Sequence, residues 1–181
     1  MKAVALWDYN KLSKYSFSLL KVKGFVLFTQ LERNVKVSIY IEGLPDGKHG
    51  IHIHEKGLGE VINFKDIDCC DKLGGHFNVG ESWSLEEPNG TKHGQHTGDL
   101  CLNINSVDGV ASYTYIDEKI SLREEDENCI LNRSVIIHED EDDLGQGFYA
   151  DEEKNINSLI NGNSGKRIMC GEIRLIKDKN F

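Results

Sequence analysis

The segment Val35-Lys-Val-Ser-Ile-Tyr-Ile41 alternates without a break between apolar residues and Lys36, Ser38 and Tyr40. Successive side chains of a strand point to opposite faces, so the segment reads as a half-buried β-strand. Similar short runs at residues 3–7, 24–28, 50–54, 100–104, 110–116, 134–138 and 172–176 bring the count to about eight strands. Pro45-Asp-Gly47 and Asp108-Gly109 are turn signals between them, and no segment carries a helix-length amphipathic period. The pattern predicts an all-β sandwich or barrel. Two intervals, roughly 55–98 and 139–166, are too long for hairpin turns, and loops of that length commonly carry function. No repeat or boundary divides residues 1–181, which read as a single domain.

A net charge of -9 argues against general binding to nucleic acid or to an anionic membrane, both of which need clustered Lys and Arg. A small anionic substrate stays open, because a local basic funnel acts within a Debye length of roughly 8 Å. No apolar run reaches the ~18 residues of a membrane span, and the N-terminus lacks the features of a secretory signal. Five cysteines cannot all pair within one chain, so a reducing compartment, the cytoplasm, is expected.

Three of the seven histidines fall in His49-Gly-Ile-His-Ile-His54. On a strand His52 and His54 share one face while Ile51 and Ile53 enter the core. The pair can be metal ligands or surface histidines. The remaining histidines shift the balance towards metal, because His76, His93, His96 and His138 all lie in or beside the two long intervals. An imidazole-rich set suits copper and zinc, and Asp99 adds an oxygen ligand acceptable to zinc.

The whole set of motifs resembles the copper/zinc superoxide dismutase family. The resemblance runs through Lys2-Ala-Val4, Gly43-Leu44, His49 to Gly57, Gly75-His-Phe-Asn78, His96-Thr-Gly-Asp-Leu100, Val135-Ile-Ile-His-Glu139, Asp142-Asp-Leu-Gly145, Gly162-Asn163 and Arg167-Ile-Met-Cys-Gly171. It implies an eight-stranded Greek-key β-barrel or immunoglobulin-like sandwich with two long functional loops, the architecture known for that family. It implies an antioxidant oxidoreductase that turns two superoxide anions and two protons into oxygen and hydrogen peroxide by alternate reduction and oxidation of copper. One copper per subunit would be held by His52, His54, His76 and His138. One zinc would be held by His76, His93, His96 and Asp99, organising the bridging His76.

By the same resemblance, Arg167 guides the anion and joins His76 as a catalytic residue, with Lys154 and Lys166 adding to the funnel. Asp142 links a copper ligand to a zinc ligand from behind, and His49 is a structural histidine bound to backbone. Cys70 and Cys170 form a disulfide, for which Cys69 competes, while Cys101 and Cys129 behave as small core or surface thiols. Closing a loop of about 100 residues contributes up to about 4.7 kcal/mol in the chain-entropy model. A homodimer and a copper donor protein are the implied partners, with Lys56 and Glu172 able to pair across a two-fold axis. The compartment would be the cytoplasm, or the host cytoplasm for a viral chain.

The chain departs from the family pattern in several places. Insertions are expected near residues 10–20, 81–90 and 146–161, and the stretch between His54 and Cys70 is long. Only Gly94 and Gln95 separate His93 from His96, a much shorter spacing than the family's. Two other functions stay in view: a dismutase-like metal-binding or chaperone-type protein without activity, and a copper-only dismutase. Retention of all four copper-type histidines and Arg167 argues against the first, and of His96 and Asp99 against the second.

Overall fold

The computed structural model describes residues 1–8, 15–60, 69–100 and 103–176. Its strands are β1 (Lys2–Asp8), β2 (Ser16–Ser18), β3 (Lys23–Gln30), β4 (Val35–Glu42), β5 (Gly47–His49), β6 (Ile51–His54), β7 (Ile104–Ser106), β8 (Val110–Asp117), β9 (Ser134–His138), β10 (Arg167–Glu172) and β11 (Arg174–Leu175). They form a five-stranded sheet, β11-β1-β3-β4-β8, a four-stranded sheet, β2-β10-β9-β6, and the small pair β5-β7. All strand pairs are antiparallel, so the all-β expectation holds.

Alternation dictates which side chains meet between the two large sheets. Val35, Val37, Ile39 and Ile41 of β4 are buried, whereas Lys36 and Tyr40 face outward. Ile51 and Ile53 of β6 join the same core with Val135 and Ile137 of β9, each such burial contributing about 2 kcal/mol. At Asp108 and Gly109 both φ angles are positive, at 52° and 76°, as the tight hairpin turn into β8 requires. A second apolar cluster of Leu58, Cys69, Cys70, Leu73, Ile136 and Cys170 packs Leu58 and residues 69–73 against the other face of the four-stranded sheet.

Three strand expectations shift. The last long strand is Arg167–Glu172, with only Arg174–Leu175 continuing beyond it, because β10 must pair with β9 over Ser134 to His138. The run at 100–104 yields a strand only from Ile104, and positions 101–102, with Cys101, lie outside the described residues. The 10–20 insertion supplies β2, which adds an edge strand to β10; its residues up to 14 lie outside the description, as do residues 61–68 of the long stretch after His54.

A helix, α1 (Glu152–Asn161), occupies the second long interval, where none was expected. Its apolar residues are too few for a clear period, and local chemistry supports it instead. The Asp151 side chain accepts from Lys154 N–H at 2.9 Å, Glu152 and Glu153 suit the positive N-terminal end, and Gly162 closes the helix at φ 70°. Among the described residues, no helix is long and apolar enough to cross a membrane.

Candidate metal centre

Strand pairing assembles the first half of the site. β6 carries His52 and His54 on the face opposite Ile51 and Ile53, and its partner β9 ends in His138. Arg167 opens β10 directly beside His138. Isolated bridges then draw the first long loop onto β6, His54 to His76 and His52 to Asp99. Gly98 is needed for that approach, because a Cβ there would meet the Ile53 carbonyl oxygen at 2.3 Å.

Each of these rings is held from behind. His52 Nε2 lies 2.5 Å from Asp142 Oδ2, His54 Nδ1 3.0 Å from the Gly74 carbonyl and His138 Nδ1 3.2 Å from the Gly165 carbonyl. Their opposite nitrogens, His52 Nδ1, His54 Nε2 and His138 Nε2, are buried with no hydrogen-bond partner. Ligand atoms of His52, His54, His76 and His138 come within 4.8 Å of one another. Buried ring nitrogens are normally satisfied, so three aimed at one point, each with its other nitrogen anchored, fit a metal ion.

The second half centres on Asp99. Its carboxylate lies 2.8 Å from His76 Nδ1, 3.3 Å from His93 Nδ1 and 3.1 Å from His96 Nδ1. Ligand atoms of His76, His93 and Asp99 also lie within 4.8 Å of one another, with His52. The Nδ1 atoms of His93 and His96 lack aligned hydrogen bonds, while their Nε2 atoms are anchored on Asp142 and on the Thr91 carbonyl, each at 2.9 Å. Three imidazole nitrogens thus lie within 3.3 Å of one carboxylate, and imidazole with carboxylate is a donor set that suits zinc. The short His93–His96 spacing still lets both rings reach the Asp99 carboxylate, with Gly94 at φ 88° between them.

Burial sets the protonation states. It lowers His52 and drives His54 and His138 well below the usual 6.5, and with the neighbouring His52 it brings His76 to about 3. Neutral imidazole is the ligand form. Burial would lower His93 too, but hydrogen bonds to Asp142 and Asp99 outweigh it and hold this ring at about 9. Burial pushes the Asp99 and Asp142 carboxyls upward, yet the surrounding histidines hold both well below the usual carboxylate range.

Outside the ligand cluster, His49 rests its nitrogens on the His138 and Pro45 carbonyls at 2.9 and 3.0 Å, the backbone contact expected of a structural histidine. Arg167 donates to the carbonyls of Cys70 at 2.9 Å and Gly74 at 2.7 Å, which fixes the guanidinium beside a cleft of about 670 Å³. His54, His76 and His138 form the inner lining of that cleft. Neither Lys154 nor Lys166 lines it, contrary to expectation; the Lys154 ammonium sits 4.0 Å from the Tyr149 ring centre instead. Cys70 and Cys170 form the disulfide, with Cys69 a buried thiol beside them and Cys129 a half-buried one. Glu172 is buried and bonded within its own chain, to Arg174 at 2.6 Å and to the Gly59 N–H at 2.5 Å.

Three contributors were given no role from the sequence, although Leu144 lies in the Asp142-Asp-Leu-Gly145 motif. Trp83, in the stretch 81–90, lines the cleft together with Asn157, Ile160 and Asn161 of α1. Asn103 brackets Asp142, accepting from its N–H at 2.7 Å and donating to its carbonyl at 2.8 Å. Leu144 adopts φ 60° and donates its N–H to the same carboxylate at 2.6 Å, a strained backbone of the kind found at functional sites.

Comparison with known proteins agrees with this geometry. The profile for copper/zinc superoxide dismutase (SODC) matches residues 22–173. The chain is 40% identical over 162 residues to extracellular superoxide dismutase [Cu-Zn] of Drosophila melanogaster, covering 84% of this chain and 76% of that protein. It is 38% identical over 169 residues to superoxide dismutase [Cu-Zn] of Paramecium bursaria Chlorella virus 1, covering 88% and 76%. Superoxide dismutase [Cu-Zn] A of Xenopus laevis is 38% identical over 159 residues, covering 84% and 89%. The crystal structure of the clock protein EA4 superposes with a TM-score of 0.72 at 29% identity, covering 97% of this chain and 94% of that one. On these grounds the chain belongs to the copper/zinc superoxide dismutase family.

Proposed function

We propose that superoxide dismutation by this chain takes place at the foot of the Arg167 cleft, with copper held by His52, His54, His76 and His138 and zinc by His76, His93, His96 and Asp99. The observation that carries this assignment is the set of buried ring nitrogens with no aligned hydrogen bond, on His52, His54 and His138 at one end and on His93 and His96 against the Asp99 carboxylate at the other. Copper held by these residues would supply one-electron redox chemistry, and zinc a fixed positive charge.

The chain's own groups do the rest. Arg167 keeps a permanent charge at the cleft and presents donors to a small anion. His76 turns Nδ1 towards Asp99, which leaves Nε2 as the nitrogen for the copper side, where it could hold a proton when copper is not bound to it. The carbonyls of Gly74 and Gly165 fix His54 and His138 as Nδ1–H tautomers, leaving Nε2 of each as a lone-pair donor. Metal analysis of purified His54→Ala and His96→Ala tests the two ligand sets. The first should lose copper and keep zinc, and the second should lose zinc; full occupancy of both metals in either variant contradicts the assignment.

We also read residues 1–181 as one domain, supported by the single main core cluster joining both large sheets. We read the protein as a cytoplasmic homodimer supplied by a copper donor protein. The thiols of Cys69 and Cys129 beside a single described disulfide favour a reducing compartment. A second copy would have to match the charged face formed by exposed Lys56 and Arg174 around Glu172. Sedimentation at micromolar concentration should show about twice the 20.4 kDa of the chain; a 20.4 kDa species alone overturns the dimer. Cell fractionation tests the compartment, and metal content of protein made with and without copper-donor proteins tests delivery.

A further inference from the structure

Lys119 stands just beyond β8, in a stretch to which the resemblance assigns no role. Its Nζ donates to the main-chain carbonyls of His96 at 2.7 Å and Asp99 at 2.8 Å. Its own backbone is tied on both sides, the N–H to Asp117 Oδ1 at 2.8 Å and the carbonyl to Asn128 Nδ2 at 2.6 Å. The ammonium is therefore presented from a fixed base in the β8–β9 connection.

The two carbonyls belong to the ends of one turn, closed by Asp99 N–H on the His96 carbonyl at 3.3 Å. A charged donor is roughly twice as strong as a neutral one, and sharing it between these oxygens fixes their relative orientation. With both carbonyls turned towards the ammonium, the side chains of His96 and Asp99 face the cluster of His76 and His93. With only Gly94 and Gln95 between His93 and His96, the segment has little of its own sequence to hold that geometry.

We infer that Lys119 is a positioning residue for zinc: it clamps the carbonyls of His96 and Asp99 from outside, so that both ligands stay aimed inward and zinc is lost slowly. The inference rests on His93, His96 and Asp99 being zinc ligands.

The test is release of zinc from the holoprotein to a chromogenic chelator, together with the visible spectrum after Co(II) replaces zinc. Lys119→Met should release zinc about tenfold faster or more, the scale usual for groups that orient metal ligands, and should change the Co(II) bands. Lys119→Arg, which keeps a cationic donor, should restore most of the slow release, which a packing role alone would not. Lys119→Ala serves the same comparison if the Met variant does not accumulate folded. A neutral variant with release within twofold of the parent and an unchanged Co(II) spectrum overturns the clamp. His96→Ala separates the premises: if it loses zinc while the neutral Lys119 variants do not, the clamp alone is wrong, and if it keeps zinc, the ligand assignment falls and the clamp with it.

Discussion

Nε2 of His52 lies 2.5 Å from the Asp142 carboxylate, 90 residues further along the chain. The same carboxylate meets His93 Nε2 with both oxygens at 2.9 Å, so one buried anion holds a ring from each metal set. Gly162 makes room for this meeting, since a Cβ there would come within 2.4 Å of both Asp142 Oδ1 and His93 Nε2.

Asp142→Ala should therefore weaken both sites while touching neither metal. Affinity for zinc and for copper should fall by about 10–100-fold, as is usual when a group orienting a ligand is lost. Competition with chelators of known strength measures it. Loss at one site only would mean that the carboxylate does not couple them.

Arg167→Ala removes the charge beside the cleft but also frees the carbonyls of Cys70 and Gly74. The second-order rate with superoxide should drop by about tenfold, and its decline with added salt should become shallower, because steering by a fixed charge is what salt screens. A rate and salt slope equal to those of the parent would remove Arg167 from substrate capture.

The metal-free protein should be most stable just above pH 6.5. The histidines lowered by burial, His52, His54, His138 and His76 at about 3, bind fewer protons folded than unfolded, so their contribution is lost as pH falls below about 6.5. His93 works in the opposite sense: held at about 9, it contributes fully below its unfolded value near 6.5 and loses that contribution as pH rises through 9. Urea unfolding across this range should give a steep acid limb and a shallower alkaline one. A flat profile would contradict the protonation states described.

Cys170→Ser opens a loop whose ends are 100 residues apart in sequence. Loss of a native disulfide should cost about 2–5 kcal/mol in chemical unfolding, with the second apolar cluster around Leu58, Leu73 and Ile136 loosened as well. Cys69→Ser should leave the Cys70–Cys170 linkage intact in peptide mapping. Recovery of a Cys69–Cys170 peptide from the parent protein would contradict the connectivity.

Strand alternation made the sheets readable, because burial on one face leaves its period in the residues, as in Val35 to Ile41. The histidine spacing made the ligand candidates readable for the same reason: His52 and His54 must share a face. Helix α1 was not legible, since capping by Asp151 and Gly162 supports it more than its apolar residues do. Nor were the anchors of the rings, which are largely backbone carbonyls at Gly74, Gly165 and Thr91 and carry no side-chain signature. Charge alone did not show the intrachain partners of Lys154 and Glu172, the Tyr149 ring and Arg174, which are set by tertiary packing.

The central claim is that copper held by His52, His54, His76 and His138 dismutates superoxide at this cleft. Its most direct test is the rate of superoxide decay, followed by pulse radiolysis with protein of measured metal content, for the parent and for His138→Ala. The parent, with about one copper and one zinc per chain, should accelerate decay catalytically, and His138→Ala should abolish the acceleration while retaining zinc. A fully metallated parent that leaves the decay unchanged, or a His138→Ala variant as active as the parent, would contradict the account.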